Sequence, residues 1–233
     1  MLRRLAALLL EARCQACGRA VAGRRSLCAF CADRLAPRLG GYCPACGALA
    51  DDPAEPIVLC PACALTPPPW DAFAFHGSYD DLLRSLLLRF KFGPDLGLCS
   101  LLRGLAVAAW ERSLQDREFD LIVPVPLHPR RLLRRGFNQS LELARPLARR
   151  LGVPLDWAAL RRSRQTTPQA GLARDQRLVN LRGAFAAQAA RVAGRRVLLV
   201  DDVATTGATL TECARALASA GAETAAVLVL ARA

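Results

Sequence analysis

VLLVDDVATTGATL, residues 197–210, runs from four aliphatic residues through two adjacent carboxylates into a cluster of threonines around one glycine. Short, nearly all-apolar, β-branched runs of this kind form strands of parallel sheets that are covered on both faces. Ligands of open α/β sheets bind outside the carboxyl ends of such strands, and Asp201 and Asp202 stand at that end. The following ATTGAT, 204–209, leads directly into an apolar-striped segment. Its amides and hydroxyls, with a helix N-terminus behind them, suit a dianionic phosphate. Carboxylates laid on that phosphate would repel it, so they must address another part of the ligand. A ribose supplies two vicinal hydroxyl donors for the acids and a 5-phosphate within reach of the loop. The pattern fits a ribose 5-phosphate.

Two blander readings fail on the same residues. A strand ending in two acids also resembles the first strand of a response-regulator receiver, but only 32 residues follow Asp201, too few for the rest of that fold. A surface loop with a capping threonine explains one polar residue, not two acids, three threonines and a glycine.

Working outward, "FDLIVPVP" (119–126) and "TAAVLVLAR" (224–232) are further runs of the parallel-strand type, with helical patterns at 138–151 and 209–220 between them. In the second helix Leu210, Cys213, Ala214, Leu217 and Ala218 share a stripe, and Gly221 is placed to end it. "WDAFAFHGSY" (70–79) alternates like a strand. "DDLLRSLLLRFKFG" (80–93) reads as an amphipathic helix with Asp80 as its cap and Leu82, Leu83, Leu86, Leu87 and Phe90 as its stripe. "LLRGLAVAAWERSL" (101–114) is helical but interrupted by Gly104. Pro146, inside the 138–151 pattern, costs about 3 kcal/mol or forces a kink, so that helix bends or ends early. Strands alternating with helices mean an α/β domain with a mainly parallel sheet.

Composition divides the chain near residue 68. "LTPPPW" (65–70) is a stiff joint that cannot continue a helix. Before it fall Cys14/Cys17, Cys28/Cys31, Cys43/Cys46 and Cys60/Cys63, spaced C-x2-C-x10-C-x2-C-x11-C-x2-C-x13-C-x2-C. Each pair makes a tight knuckle, and two knuckles complete a tetrahedral thiolate site that favours zinc, with iron–sulfur as the alternative metal. Two such sites use all eight thiols. Four thiolates leave no open position, so the zinc is structural rather than catalytic. Sequential pairing, as in a double zinc ribbon, is favoured over an interleaved arrangement. Metal would replace the core that so short a segment cannot build. Cys99 and Cys213 stand apart and are most simply buried small hydrophobes.

The chain has 233 residues, 53% of them apolar, enough for one core and a small satellite. The apolar run in "MLRRLAALLLEARC" stops at Glu11 with no small-x-small cleavage site, which favours a short amphipathic helix over a secretion signal. No stretch approaches the roughly 20 apolar residues of a membrane span. A cytoplasmic protein with reduced, metal-ready thiols is expected, without membrane insertion. The formal charge of +12 points to phosphates or nucleic acid, but Lys91 is the only lysine amid abundant arginine and alanine, a skew that discounts the excess. Few aromatics (Phe30, Tyr42) accompany the N-terminal basic residues, so a base-stacking surface there lacks support. His76 reads as structural and His128 as a solvent-facing loop residue.

VLLVDDVATTGAT resembles the 5-phosphoribosyl-1-pyrophosphate (PRPP) loop of type I phosphoribosyltransferases. "LIVPVPLHPRRLLRRGFNQS" (121–140) and "QTTPQAGLARDQRLVNLRGAF" (165–185) resemble signatures of the ComF family, competence-associated proteins with a phosphoribosyltransferase-like domain. With the cysteine-rich start, the resemblance covers nearly the whole chain. It implies a type I phosphoribosyltransferase-like α/β fold over 69–233 and a double zinc ribbon of two four-cysteine sites over 1–68.

It further implies that Asp201 and Asp202 bind the ribose hydroxyls while Ala204, Thr205, Thr206, Gly207, Ala208 and Thr209 hold the 5-phosphate. The loop after "LIVPVP", with Arg130, Arg131, Arg134 and Arg135, would contact pyrophosphate, Arg135 foremost, and magnesium would accompany PRPP. Segment 161–182 matches the hood loop, where Gln169, Arg177 and Asn180 hold motif positions. Val179 replaces the basic residue many members carry there. Two functions follow from the resemblance. One is a PRPP-binding protein of DNA uptake, with single-stranded DNA or competence proteins as partners. The other is an active transferase passing the ribosyl phosphate to a base or amine, with Asp201 and Asp202 at its catalytic centre. No general base declares itself, and the acceptor and oligomeric state are not written in these motifs.

Overall fold

The aliphatic runs pair into one sheet. The computed structural model describes residues 12–22, 26–93, 95–164 and 181–233. In it β1 (Ala72–Ser78), β7 (Thr224–Arg232), β5 (Arg196–Val200) and β2 (Leu121–Pro124) lie side by side in that order, every pairing parallel. The two-residue strand β6 (Val203–Ala204) continues along β7. β3 (Leu160–Arg162) and β4 (Phe185–Ala187) form a separate antiparallel pair. Among the described residues no helix is long and apolar enough to cross a membrane.

Alternation along each strand feeds two cores. Ile122, Leu198, Val200, Ala226 and Leu228 face one layer, built from α3 (Asp81–Phe92), α4 (Leu96–Ser113) and α6 (Gln139–Leu151). Leu121, Val123, Val197, Leu199, Val227 and Val229 face the other, built from α8 (Ala208–Ser219) with β3 and β4. Burial on both faces is why these strands are apolar without a break.

Local expectations change at four helices. α4 runs unbroken through Gly104. An interior glycine costs about 1 kcal/mol, whereas each fully buried leucine returns about 1.5–3, and Leu98 and Leu102 are both fully buried on this helix. α6 likewise continues through Pro146 to Leu151 instead of ending early. The proline has no N–H for the Glu142 carbonyl four residues back, and Arg103 of α4 fills the gap, donating from Nε to that oxygen at 3.1 Å. The same guanidinium pairs with the Glu142 carboxylate. At α3, Asp80 holds the N-cap position but makes no side-chain capping bond, and Leu82 is only half-buried. On α8 the stripe holds except at Ala218, which is exposed.

The strand at 72–78 does not alternate in burial: Phe73 to Gly77 are all covered, because the cysteine-rich segment packs around β1. Ala16, Cys31 and Leu35 join the core on one face, while Tyr42 and Leu49 pack against that on the other. The backbone N–H of Arg38 donates to the carbonyl of His76 at 2.9 Å, occupying the outer edge of a strand that would otherwise be open to foreign pairing. His76 is indeed structural: it is buried, with Nε2 2.8 Å from the Leu35 carbonyl. The expected N-terminal amphipathic helix lies over residues 1–11, outside the described residues.

Arg103→Met should cost about 1–2 kcal/mol in urea unfolding, the range for losing a partner of a polar group. In a Pro146→Ala background, where the substituted alanine can supply the missing N–H, the cost should shrink. Equal costs in both backgrounds would contradict this role for Arg103.

Candidate functional site

β5 ends at Val200, and the next two residues are buried carboxylates, Asp201 9% and Asp202 8% exposed. Charges held this far from water need partners. Asp201 Oδ1 accepts from Ser140 Oγ at 2.8 Å and from the backbone N–H of Asp202 at 2.9 Å. Asp202 Oδ2 lies 2.9 Å from the Lys91 ammonium. Burial, with the Asp202 charge beside it, raises the pKa of Asp201 above the usual carboxylate range. Burial alone would lower Lys91, but the neighbouring Asp202 outweighs it and raises that group.

The chain then turns through Gly207, whose φ of +76° favours glycine, into α8. Arg232 spans the back of this turn. It donates to the carbonyls of Ala204 and Thr205, which turns those oxygens away and leaves the amide side of the loop for a ligand. Its Nε also donates to the Cys46 carbonyl at 3.0 Å.

These elements enclose a cavity of about 230 Å³. Asp201, Asp202, Ala204, Thr205, Thr206, Gly207, Ala208, Thr209 and Arg135 all line it. The segment carrying the four arginines is not a loop but a helix, α5 (Pro129–Arg135). Its turn sends Arg131 and Arg135 into the cavity, while Arg130 and Arg134 are exposed outside it. Arg135 donates to Gln139 Oε1 at 2.9 Å and stacks over the Phe92 ring at 5.8 Å. Burial lowers the pKa of Arg135. His128 is half-buried rather than a plain surface residue. Its Nδ1 accepts the Arg130 N–H at 3.3 Å as the N-cap of α5.

Sequence reasoning missed Lys91, Ser140, Arg162 and Arg232. Lys91 carried a signal: a single lysine surviving in an arginine-rich chain marks a position where the two are not interchangeable. The others reach the site only through folding. Gln169, Arg177, Val179 and Asn180 of the expected hood loop lie outside the described residues. Where the chain resumes, the Gly183 N–H donates to the buried Glu212 carboxylate of α8 at 2.9 Å.

The thiols form two clusters, Cys14, Cys17, Cys28 and Cys31, then Cys43, Cys46, Cys60 and Cys63, with the sulfurs of each within 4.8 Å of one another. The pairing is sequential. Both are built alike: the first pair sits on a knuckle closed by a left-handed glycine, Gly18 at φ +75° and Gly47 at φ +70°. The second pair opens a short helix, α1 (Ala29–Arg34) or α2 (Pro61–Leu65). At Gly47 a Cβ would also strike Phe73 at 2.5 Å, so the second knuckle needs glycine to dock on β1. Sulfurs 3.9 Å apart, as in Cys17–Cys28 and Cys46–Cys60, match tetrahedral zinc with bonds of about 2.3 Å. Burial opposes ionisation of Cys14, but backbone N–H groups of Cys28, Cys17 and Ala16 outweigh it and lower the thiol to about 6. Of the two remaining cysteines, Cys213 is fully buried as expected, whereas Cys99 is only half-buried.

Comparison with known proteins matches residues 5–66 to the Double zinc ribbon domain and residues 137–233 to the Phosphoribosyl transferase domain. With the two four-cysteine clusters, this supports two structural zinc ions. The DNA utilization protein YhgH of Salmonella typhimurium is 37% identical over 209 residues, covering 88% of this chain and 90% of that protein. Competence protein F of Haemophilus influenzae is 36% identical over 228 residues, covering 95% and 97%. Competence protein ComFC of Bacillus subtilis is 28% identical over 205 residues, covering 84% and 79%. Among solved structures, the glutamine PRPP amidotransferase of B. subtilis aligns with a TM-score of 0.41 and 22% identity, over 57% of this chain and 26% of that one.

Elemental analysis should find two zinc ions per chain, falling to one in Cys43→Ser. A wild-type value of one, or iron in place of zinc, would overturn the two-site assignment.

Proposed function

Because the chain belongs to the family of competence protein F and the YhgH DNA utilization proteins, a competence-related family with a phosphoribosyltransferase domain, we propose that its pocket binds PRPP with magnesium and serves DNA uptake. The observation that carries the reading is the sorting of charge around one cavity. The carboxylate pair, the turn of residues 204–209 and the guanidinium groups of Arg131 and Arg135 all line it. A free phosphate would leave Asp201 and Asp202 repelling it. A sugar without phosphates would leave the turn and the arginines unused. PRPP uses all three parts.

In this reading Asp201 and Asp202 accept from the ribose 2- and 3-hydroxyls. The amides and hydroxyls from Ala204 to Thr209 hold the 5-phosphate at the N-terminus of α8, a 12-residue helix whose dipole adds to the attraction. Arg135, oriented by Gln139, meets the pyrophosphate. Magnesium prefers one or two carboxylates together with substrate phosphates, which fits a pocket having Asp201 and Asp202 beside a diphosphate arm. The division of the chain is proposed as a metal module over 1–68 and the sugar-phosphate domain over 69–233. Reduced thiols for zinc are consistent with a cytoplasmic location. The exposed Arg130 and Arg134 beside the pocket are the groups offered to single-stranded DNA.

Asp201→Asn with Asp202→Asn should abolish PRPP binding in calorimetry while thermal unfolding and zinc content stay intact. DNA affinity in the same variant should keep its steep decline with salt, because those phosphates are held outside the pocket. Unchanged PRPP affinity would remove the ribose assignment.

A second reading, phosphoribosyl transfer, is favoured by the cationic wall where a pyrophosphate leaving group would sit. The C1–oxygen bond to pyrophosphate would break as an acceptor nitrogen bonds to C1, with positioning and electrostatics supplying most of the rate. If it holds, pyrophosphate is released from PRPP when a base or amine acceptor is offered. Release no faster than from PRPP alone, across such a screen, leaves a binding protein.

A further inference from the structure

Lys91 enters the pocket from the last turn of α3, and its ammonium is paired with Asp202 at 2.9 Å. The pair is well shielded, with side chains 17% and 12% exposed. Apart from this ion pair, Asp202 Oδ2 has no hydrogen-bond partner among the described residues. The cation therefore neutralises the carboxylate that a ribose hydroxyl would address. A sugar bound at Asp202 must displace it or share it. A displaced ammonium cannot stay unpaired in so buried a place, where the penalty for an uncompensated ion is severe. It needs another anion within the same cavity. Ribose 5-phosphate brings a phosphate only at the turn of residues 204–209. PRPP brings a second anionic arm for the guanidinium groups of Arg131 and Arg135, which line the same cavity as Lys91.

We propose that Lys91 is the specificity-determining residue of the pocket, an exchangeable counter-ion that leaves Asp202 for the diphosphate and so makes the site prefer PRPP over ribose 5-phosphate. The inference rests on the sugar-phosphate reading above. The choice of side chain agrees with it. Lysine is a compact point charge on a flexible stem that can change partners, whereas arginine's planar fork is built for one fixed bidentate geometry. In a chain whose other basic side chains, histidine aside, are all arginine, this position alone keeps lysine.

The test compares PRPP, ribose 5-phosphate and inorganic pyrophosphate by calorimetry, at constant magnesium, on wild type, Lys91→Met and Lys91→Gln. Wild type should prefer PRPP. In either variant PRPP affinity should drop by about tenfold or more, the loss of one charge-assisted contact, while ribose 5-phosphate affinity stays within about threefold. Equal losses for both ligands, or none, would overturn the role of Lys91 and leave the sugar reading standing. Wild type binding neither sugar would overturn both.

A measurement without substitution covers variants that do not fold. Because the chain has one lysine, labelling lysine with nitrogen-15 at the side-chain amine gives one assignable ammonium signal. That signal should shift on adding either sugar and reach different positions with PRPP and ribose 5-phosphate. A signal unmoved by PRPP means Lys91 never leaves Asp202, and the proposal fails.

Discussion

Two carboxylates side by side at the buried end of a parallel strand form an arrangement that repels itself and loses hydration. The rest of the site can be understood as what makes it tolerable. Ser140 comes from the start of α6 to bond Asp201, the Asp202 N–H bends back onto the same oxygen, and Lys91 comes from the end of α3 to neutralise Asp202. Two helices on one face of the sheet are thereby tied to the end of its inner strand. Compensation remains incomplete, since Asp201 is still pushed towards its neutral form. In the proposed reading, a ligand offering hydroxyl donors to these acids, and anions to the cations around them, would complete the balance.

The metal module takes part in this architecture. One knuckle packs into the core shared with α3 and α4, the other lies against the aromatic residues of β1, and the linker between them covers the edge of that strand. Arg232 joins the two functions in one side chain, bonding the carbonyl of the zinc-site residue Cys46 on one side and those of Ala204 and Thr205 on the other. One guanidinium thus links the turn after Asp202 to the second cysteine cluster.

Much of this was legible in the chain itself. Parallel strands declare themselves because burial on both faces demands unbroken aliphatic runs, and the acid pair with its threonine–glycine turn stands where such strands present ligands. Cysteine pairs spaced C-x2-C announced metal sites, with sequential grouping favoured over an interleaved one, and the two clusters are sequential. Local rules misjudged Gly104 and the early end allowed at Pro146 because they price a residue within its own helix. The buried leucines beside Gly104 and the guanidinium of Arg103 on Glu142 come from elsewhere.

What the sequence determined by itself was therefore the periodic and the contiguous: strand and helix identity, the metal sites, and the pocket residues that lie next to one another. Only the tertiary structure decided which distant side chains complete the pocket. Lys91 lies more than a hundred positions before Asp202, and Ser140 sixty-one before Asp201. Nothing in local pattern ties such residues together. They meet because strand order and helix packing bring the end of one helix and the start of another to the same strand terminus, where a buried charge makes their presence necessary.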